Sequence, residues 1–312
     1  MRIAVTGGRG FVGRSLVRLA RDAGHEAVVV SRSAVGDADV AAIGGLDDLR
    51  GLTAAFAGAD VVVHLAARVH VLRDDARDPL GAFRAVNVDG TRSVLAAAAA
   101  AGVGRLVYAS TVKVHGERTD SPFTEASPIV PRDAYAQSKA EAEDVVRGWR
   151  GGEGWVVVRP PLVYGPGVGA NFARLVSLAR RSLTWPLPLG GIGNRRSLAF
   201  VENLSDALLR VALRPEARNA VYLVADDVDF STTELVQHLA RGLGGEARLL
   251  PCPARAVRRL ATIVGRGDEA ARLLDSLALD TRHIRRELGW QPPHQAVPAL
   301  EGTARAVVAE RP

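Results

Sequence analysis

The stretch "RIAVTGGRGFVG" constrains this chain more than any other. An apolar run ends at Thr6, then Gly7, Gly10 and Gly13 follow in G-x-x-G-x-x-G spacing before a helical pattern over 11–23. Glycines allow a tight turn and let the backbone approach a pyrophosphate, whose charge the helix N-terminus favours. Such a turn, after a strand and opening a helix, predicts a dinucleotide-binding strand-turn-helix-strand unit at the start of the chain. The same rhythm continues through "EAVVVS", a helix at 47–57, "ADVVVHLA", a helix near 79–102, "RLVYAS", a helix at 133–149 and "WVVVRPP". Apolar strands alternating with helices predict a doubly wound parallel sheet of Rossmann type, covered on both faces.

After Pro160 the rhythm loosens into "YGPGVGANF" and "WPLPLGGIGN". Such punctuation predicts a smaller C-terminal α/β lobe for substrate over 165–194 and 216–312. The cofactor domain takes 1–164, with about 195–215 returning to it. A chain of 312 residues, 47% hydrophobic, has enough apolar surface for both.

The formal charge of +6 comes from scattered arginines rather than a basic block, and no nucleic-acid module accompanies it, so small phosphorylated ligands explain it better than a nucleic acid. A single cysteine, Cys252, leaves no intrachain disulfide and no cysteine-based metal centre. No basic-apolar leader opens the chain and no eighteen-residue apolar run occurs, so the expectation is a cytoplasmic protein with no membrane partner. No metal site is expected, because His70 and His115 lack ligand company.

At the end of the second strand, "VVVSRS", an acidic residue would accept hydrogen bonds from the adenosine ribose of NAD. Ser31 and Arg32 stand there instead. A hydroxyl and a cation suit a ribose 2′-phosphate, so NADP(H) is expected, with NAD(H) the alternative if Arg32 is only another solvated arginine.

"YAQSK" sets Tyr135 and Lys139 four residues apart on one helix face. An ammonium beside a phenol stabilises phenolate, which makes Tyr135 a candidate acid or base. Upstream, Ser110 and Thr111 end an apolar strand at the carboxyl edge of the sheet, where ligands bind. Asn87 of "NVDGT" falls in the helix before that strand; it either serves the cofactor site or bridges backbone groups. Among the 40 Lys and Arg residues only Lys113 and Lys139 are lysine.

These motifs, with "HLAAR", "YASTVKVHGE", "RPPLVYGPG", "RRSLAFVENLSDAL" and "RELGW", resemble the extended short-chain dehydrogenase/reductases, a group of nucleotide-sugar epimerases, dehydratases and reductases. The resemblance implies Tyr135 as the acid/base, Lys139 also holding the nicotinamide ribose, and Thr111 orienting the sugar carbonyl or hydroxyl beside Ser110. It sets Phe11, Val12, Leu46, Leu65, Ala66, Ala67 and Asn87 around the cofactor. Arg159 and Pro161 would border nicotinamide and sugar. Asn171 and Arg196 would meet the nucleotide diphosphate, UDP or dTDP, and Arg272 is a further candidate whose alternative is a solvated helix face. Relatives pair helices corresponding to 79–102 and 133–149, which implies a homodimer. Gly45 stands where many members carry an adenine-side Asp.

In the 4,6-dehydratases of the group, Asp and Glu follow the strand-end Thr directly. Here Val112 and Lys113 do, which argues against dehydration. A finer similarity, in "STVKVHGE" and "PLPLGGIGNRRSL", is to bacterial reductases of UDP-4-keto-6-deoxy-N-acetylhexosamines of the UDP-N-acetylquinovosamine type. It implies NADPH-dependent 4-ketoreduction for surface polysaccharide. The alternatives are an NAD-dependent UDP-sugar 4-epimerase and a non-catalytic NADP-binding redox sensor. Lys113 would either orient a polar group of the sugar or pair locally with Glu117.

Overall fold

The computed structural model describes residues 1–33, 39–69 and 78–309. The first unit runs β1 (Arg2–Thr6), α1 (Phe11–Asp22), β2 (Glu26–Ser31), β3 (Val40–Ala42), α2 (Leu49–Ala55), β4 (Val61–His64), α3 (Pro79–Arg84), α4 (Gly90–Ala100), β5 (Arg105–Ala109), α5 (Ala134–Arg147) and β6 (Gly154–Arg159). Then follow β7 (Leu162–Tyr164), α6 (Ala170–Thr184), β8 (Leu187–Gly190), β9 (Leu198–Phe200), α7 (Val201–Leu213), β10 (Ala220–Leu223), α8 (Thr232–Gly242) and β11 (Leu249–Pro251). Four helices end the chain: α9 (Ala254–Ile263), α10 (Gly267–Leu274), α11 (Arg282–Leu288) and α12 (Ala296–Ala309).

Seven parallel strands form one sheet in the order β10-β6-β5-β4-β1-β2-β3. This is the Rossmann arrangement expected from the alternating pattern. Strand order reverses between β1 and β4, which leaves a crevice at their carboxyl ends. Each face has its own core: Leu16 of α1, Leu204 and Leu208 of α7 and Ile284 of α11 on one side, Leu52 of α2, Val94 of α4 and Ala142 of α5 on the other. Val61, Val62 and Val63 are sealed from both sides, each stabilising by roughly 1.5–3 kcal/mol. A third core joins Phe172, Val176, Val236, Leu239, Leu300 and Ala304 from α6, α8 and α12.

Three features depart from the sequence expectation. β10 pairs with β6 at the sheet edge, and α11 packs in the sheet's core, so 216–312 divides between the two units rather than joining the C-terminal lobe whole. A four-residue strand is too short to announce which sheet it will join. β3 adds an unforeseen edge strand of three residues. The helix near 79–102 is broken by a π-helical turn, Ala85–Asp89, which turns Asn87 inward. Among the described residues no helix is long and apolar enough to cross a membrane, and none of their His, Cys, Asp and Glu residues form a group that could hold a metal.

Candidate active site

The glycine turn meets the end of β4. Gly7 has φ +71°, and a Cβ there would lie 2.7 Å from the Ala66 amide nitrogen. At Gly13 a Cβ would lie 2.2 Å from the Gly7 carbonyl oxygen, so any side chain would force α1 away from the turn. The N-cap of α1 is Gly10, with no side-chain cap and no acid in the first turn. Its first amide N–H groups therefore lack a competing carboxylate, as an anion-binding helix start requires. Phe11 and Val12 are half-buried and turn toward the third core. Leu65, Ala66 and Ala67 are half-buried beyond β4, and Leu46 packs at Gly90, where a Cβ would lie 2.8 Å from its Cδ1. This cradle fits a dinucleotide pyrophosphate. Ser31 ends β2 half-buried, and Arg32 beyond it is exposed with no ion-pair partner among the described residues.

Behind the cradle lies a polar chain absent from the sequence reading. Thr6 and His64 are register partners on β1 and β4. The His64 Nδ1 lies 2.6 Å from the Thr6 hydroxyl, and its Nε2 lies 3.1 Å from the Thr91 hydroxyl, which donates to the Asn87 carbonyl at 2.6 Å. Thr91 spends its proton on that carbonyl, so Nε2 is the donating nitrogen and Nδ1 accepts from Thr6. Burial, with Lys139 adding repulsion, pulls the His64 pKa down to about 3 and keeps the ring neutral. Two polar residues ending adjacent apolar strands were the available signal.

Tyr135 and Lys139 occupy the first turns of α5. The Lys139 ammonium is buried, donates to the Ala109 carbonyl at 2.6 Å and sits 4.1 Å above the centre of the Tyr108 ring. Burial lowers its pKa to about 7, against the opposing pull of Glu143. Tyr135 packs edge-on against Phe83, 6.0 Å between ring centres, and holds its proton more tightly than a free phenol because of burial and then the Asp133 carboxylate. Thr111 caps the short turn after β5, its hydroxyl oxygen accepting the Lys113 amide at 3.3 Å. Val112 donates its amide to the Pro160 carbonyl at 2.9 Å, which ties this turn to buried Pro161. The structure thus gathers Thr111, Tyr135, Lys139 and Pro161 at the carboxyl edge of β5 and β6.

Several expected contacts resolve differently. Asn87 is buried, accepts the Arg68 amide at 2.8 Å, and donates to the Arg68 carbonyl at 3.0 Å and to the Ser138 hydroxyl at 2.9 Å. It bridges Arg68 and Ser138, with both of its amide N–H groups used. The Ser110 hydroxyl is buried and donates to Glu143 Oε1 at 2.5 Å. Arg159 is wholly buried, which corrects the expectation that it borders the sugar. Its Nε donates to Glu143 Oε1 at 2.8 Å, a second nitrogen bonds Glu143 Oε2, and Nη1 lies 2.9 Å from His115 Nε2. With Arg159 donating there, His115 keeps its proton on Nδ1, 3.0 Å from the Pro128 carbonyl. Burial raises and Arg159 lowers the Glu143 pKa, the balance being below the ordinary value. The signal for Glu143 was its position four residues after Lys139 on the same face.

Lys113 meets both Glu117, at 2.9 Å, and Asp133. Beyond Glu117 a cavity of about 550 Å³ is lined by Arg118, Arg132, Arg272, His115 and Phe123 among others. Arg272 is exposed on α10, and Arg196, half-buried, donates to the Asp275 carbonyl at 2.9 Å on the same wall. The Asn171 side chain and the whole of His70 lie outside the described residues.

The chain matches the model of the NAD dependent epimerase/dehydratase family over residues 3–225. It is 36% identical to the UDP-glucose 4-epimerase of Vibrio cholerae over 97% of this chain and 94% of that one. It is 31% identical to the 3-diazoavenalumate denitrifying reductase of a Streptomyces species, over 94% and 97%. Among solved structures, the dTDP-glucose 4,6-dehydratase DesIV of Streptomyces venezuelae, with NAD and TYD bound, superposes with a TM-score of 0.77 at 26% identity, covering all of this chain and 98% of that one. A glycine turn built for a dinucleotide, the Thr111, Tyr135 and Lys139 arrangement and these similarities over most of the chain lead to one conclusion: the chain belongs to the NAD dependent epimerase/dehydratase family.

Proposed function

We propose that this chain is an NADPH-dependent 4-ketoreductase of a nucleotide-activated 4-keto-6-deoxy sugar. The observation that carries this reading is Arg32, exposed beyond β2 and without an ion-pair partner among the described residues, where a carboxylate would be needed to hold the ribose of NAD. A guanidinium there suits a 2′-phosphate. One further feature argues against dehydration. Val112 and Lys113 replace the carboxylates that elimination of water requires.

When bound, the reduced nicotinamide supplies the hydride that reaches C4. Tyr135 gives its phenolic proton to the C4 oxygen as charge develops there. Thr111 already accepts the Lys113 amide, so its own O–H is free to donate to the same oxygen. Lys139 sits one turn below Tyr135 to hold the nicotinamide ribose and steady the phenolate left behind. Ser110, Glu143 and Arg159 fix the floor under Thr111. Arg118, Arg132 and Arg272 at the cavity wall, with Arg196 nearby, suit the diphosphate of UDP or dTDP.

A second reading, NAD-dependent 4-epimerisation, draws on the similarity to the Vibrio cholerae epimerase. The two part on cofactor balance. Incubation with NADPH and a UDP-4-keto-6-deoxy-N-acetylhexosamine should consume NADPH in step with product. Inversion of UDP-glucose at C4 with no net cofactor loss would establish the epimerase, and no turnover of either sugar would favour a redox sensor.

A further inference from the structure

Helix α9 is held to the molecule by one side only. None of its ten residues is fully buried. Val257 and Ala261 pack against Ile192 and Leu274, and Arg258 is tied to Asp275 at 2.6 Å. The other side carries large apolar groups into solvent: Leu260 is 60% exposed, Ile263 80% and Val264 68%. Positions three and four apart share a helix face, so these side chains form one patch rather than scattered exposures. Arg255 and Arg259 extend it, because Arg255, Arg259 and Ile263 follow at intervals of four along one row. Arg266 stands just past the helix end. All three arginines are exposed, and none has an ion-pair partner among the described residues.

A patch that is apolar at its centre and cationic along its edge restricts what can cover it. A second copy seated on it by two-fold symmetry would set the arginines of one chain against those of the other. A nucleic acid would pair the guanidiniums but leave Leu260, Ile263 and Val264 with no apolar phase to enter. A bilayer containing anionic lipid satisfies both, with phosphate headgroups at the level of the guanidiniums and acyl chains beneath for the aliphatic groups. Residues 254–274 carry five arginines against two acids, Asp268 and Glu269, so the local charge has the sign that such a surface attracts. We propose that the α9 face of Leu260, Ile263 and Val264, edged by Arg255, Arg259 and Arg266, is a peripheral docking surface for an anionic lipid bilayer. The contact is with one leaflet and needs no spanning helix. It adds a membrane partner to the expectation drawn from the sequence, because a patch on a ten-residue helix leaves no long apolar run. Through α10, which packs on α9 and lends Arg272 to the cavity wall, docking would bring that cavity toward the bilayer.

Co-sedimentation of the full chain with lipid vesicles tests this. Phosphatidylcholine vesicles with about a third phosphatidylglycerol should retain the protein at low salt, and pure phosphatidylcholine vesicles should not. Salt at about 0.5 M should weaken the retention by screening. I263S and L260S should each lower partitioning by about tenfold, as expected for withdrawing one aliphatic side chain from an apolar phase. R255Q and R259Q should each lower it by about fivefold at low salt. These side chains are exposed, so each variant should keep the parent thermal midpoint and dissociation constant for NADPH. Absence of retention by the anionic vesicles would overturn the inference. Retention that I263S leaves unchanged would also overturn it, since general attraction of a chain with charge +6 would then suffice. Self-association without lipid that I263S abolishes, read by sedimentation velocity, would assign the patch to a second copy instead. Because retention is read without turnover, this inference and the reductase reading stand or fall separately.

Discussion

The guanidinium of Arg159 lies flat against the carboxylate of Glu143, with neither side chain reaching solvent. Ser110 and Arg147 complete the shell of Glu143, and His115 completes that of Arg159. A buried pair of this kind contributes little over an apolar replacement of both partners, but removing one strands the other. R159M should therefore cost about 3–5 kcal/mol of stability, read as a lowered thermal midpoint, while the dissociation constant for cofactor changes little. A large loss of cofactor affinity with unchanged stability would instead restore Arg159 to the ligand site.

His64 and His115 are both held neutral by burial. A base whose folded pKa is depressed contributes stability that is present above its unfolded value and lost as pH falls below it. For His64 the window runs from the ordinary 6.5 down to about 3. Denaturant unfolding between pH 7 and 5 should show falling stability with proton uptake, and H64Q, which keeps a polar side chain between Thr6 and Thr91, should remove about one proton's worth of that slope. An identical slope in H64Q would refute the assignment.

Lys139 carries the same kind of burden in a higher pH window. Its folded pKa of about 7 lies below the ordinary 10.5, so the unfolded chain binds the proton more strongly between those values and stability of the cofactor-free protein rises with pH across that window. K139M should raise the thermal midpoint of the cofactor-free protein at neutral pH while reducing turnover by at least about a hundredfold. The pairing of gained stability with lost activity is the signature; a destabilised K139M would contradict it.

Arg32 should decide between cofactors. R32D removes the cation and supplies the missing carboxylate, so the KM for NADPH should rise by about 10–100-fold, the value of a charge-assisted hydrogen bond, and NADH should become the better substrate. Steady-state kinetics with both cofactors reads this directly. An unchanged ratio would make Arg32 a solvated arginine.

The glycine turn and the strand-helix rhythm were legible because they are local: Gly7 and Gly13 are required by contacts within the turn or against the next strand end. Tyr135 and Lys139 were legible because four residues on a helix are neighbours. Partners remote in sequence were not. Nothing around Arg159 distinguishes a guanidinium turned to Glu143 from one turned to a sugar, and both follow apolar strands. Thr6, His64 and Thr91 come from three elements, and only the register of β1 against β4 brings the first two together. Lys113 was conspicuous as a rare lysine, but the role of Asp133 as both cap and counter-ion depends on where α5 starts. The short β10 was assigned to the wrong unit because its sheet partner lies over 60 positions earlier.

The fate of the transferred hydrogen tests net reduction by this site most directly. With 4-deuterated NADPH and a UDP-4-keto-6-deoxy-N-acetylhexosamine, mass spectrometry of the product should show one deuterium per sugar and an equivalent of oxidised cofactor, and Y135F should show neither. C4 inversion of a UDP-hexose with no deuterium incorporated and no cofactor consumed would contradict it.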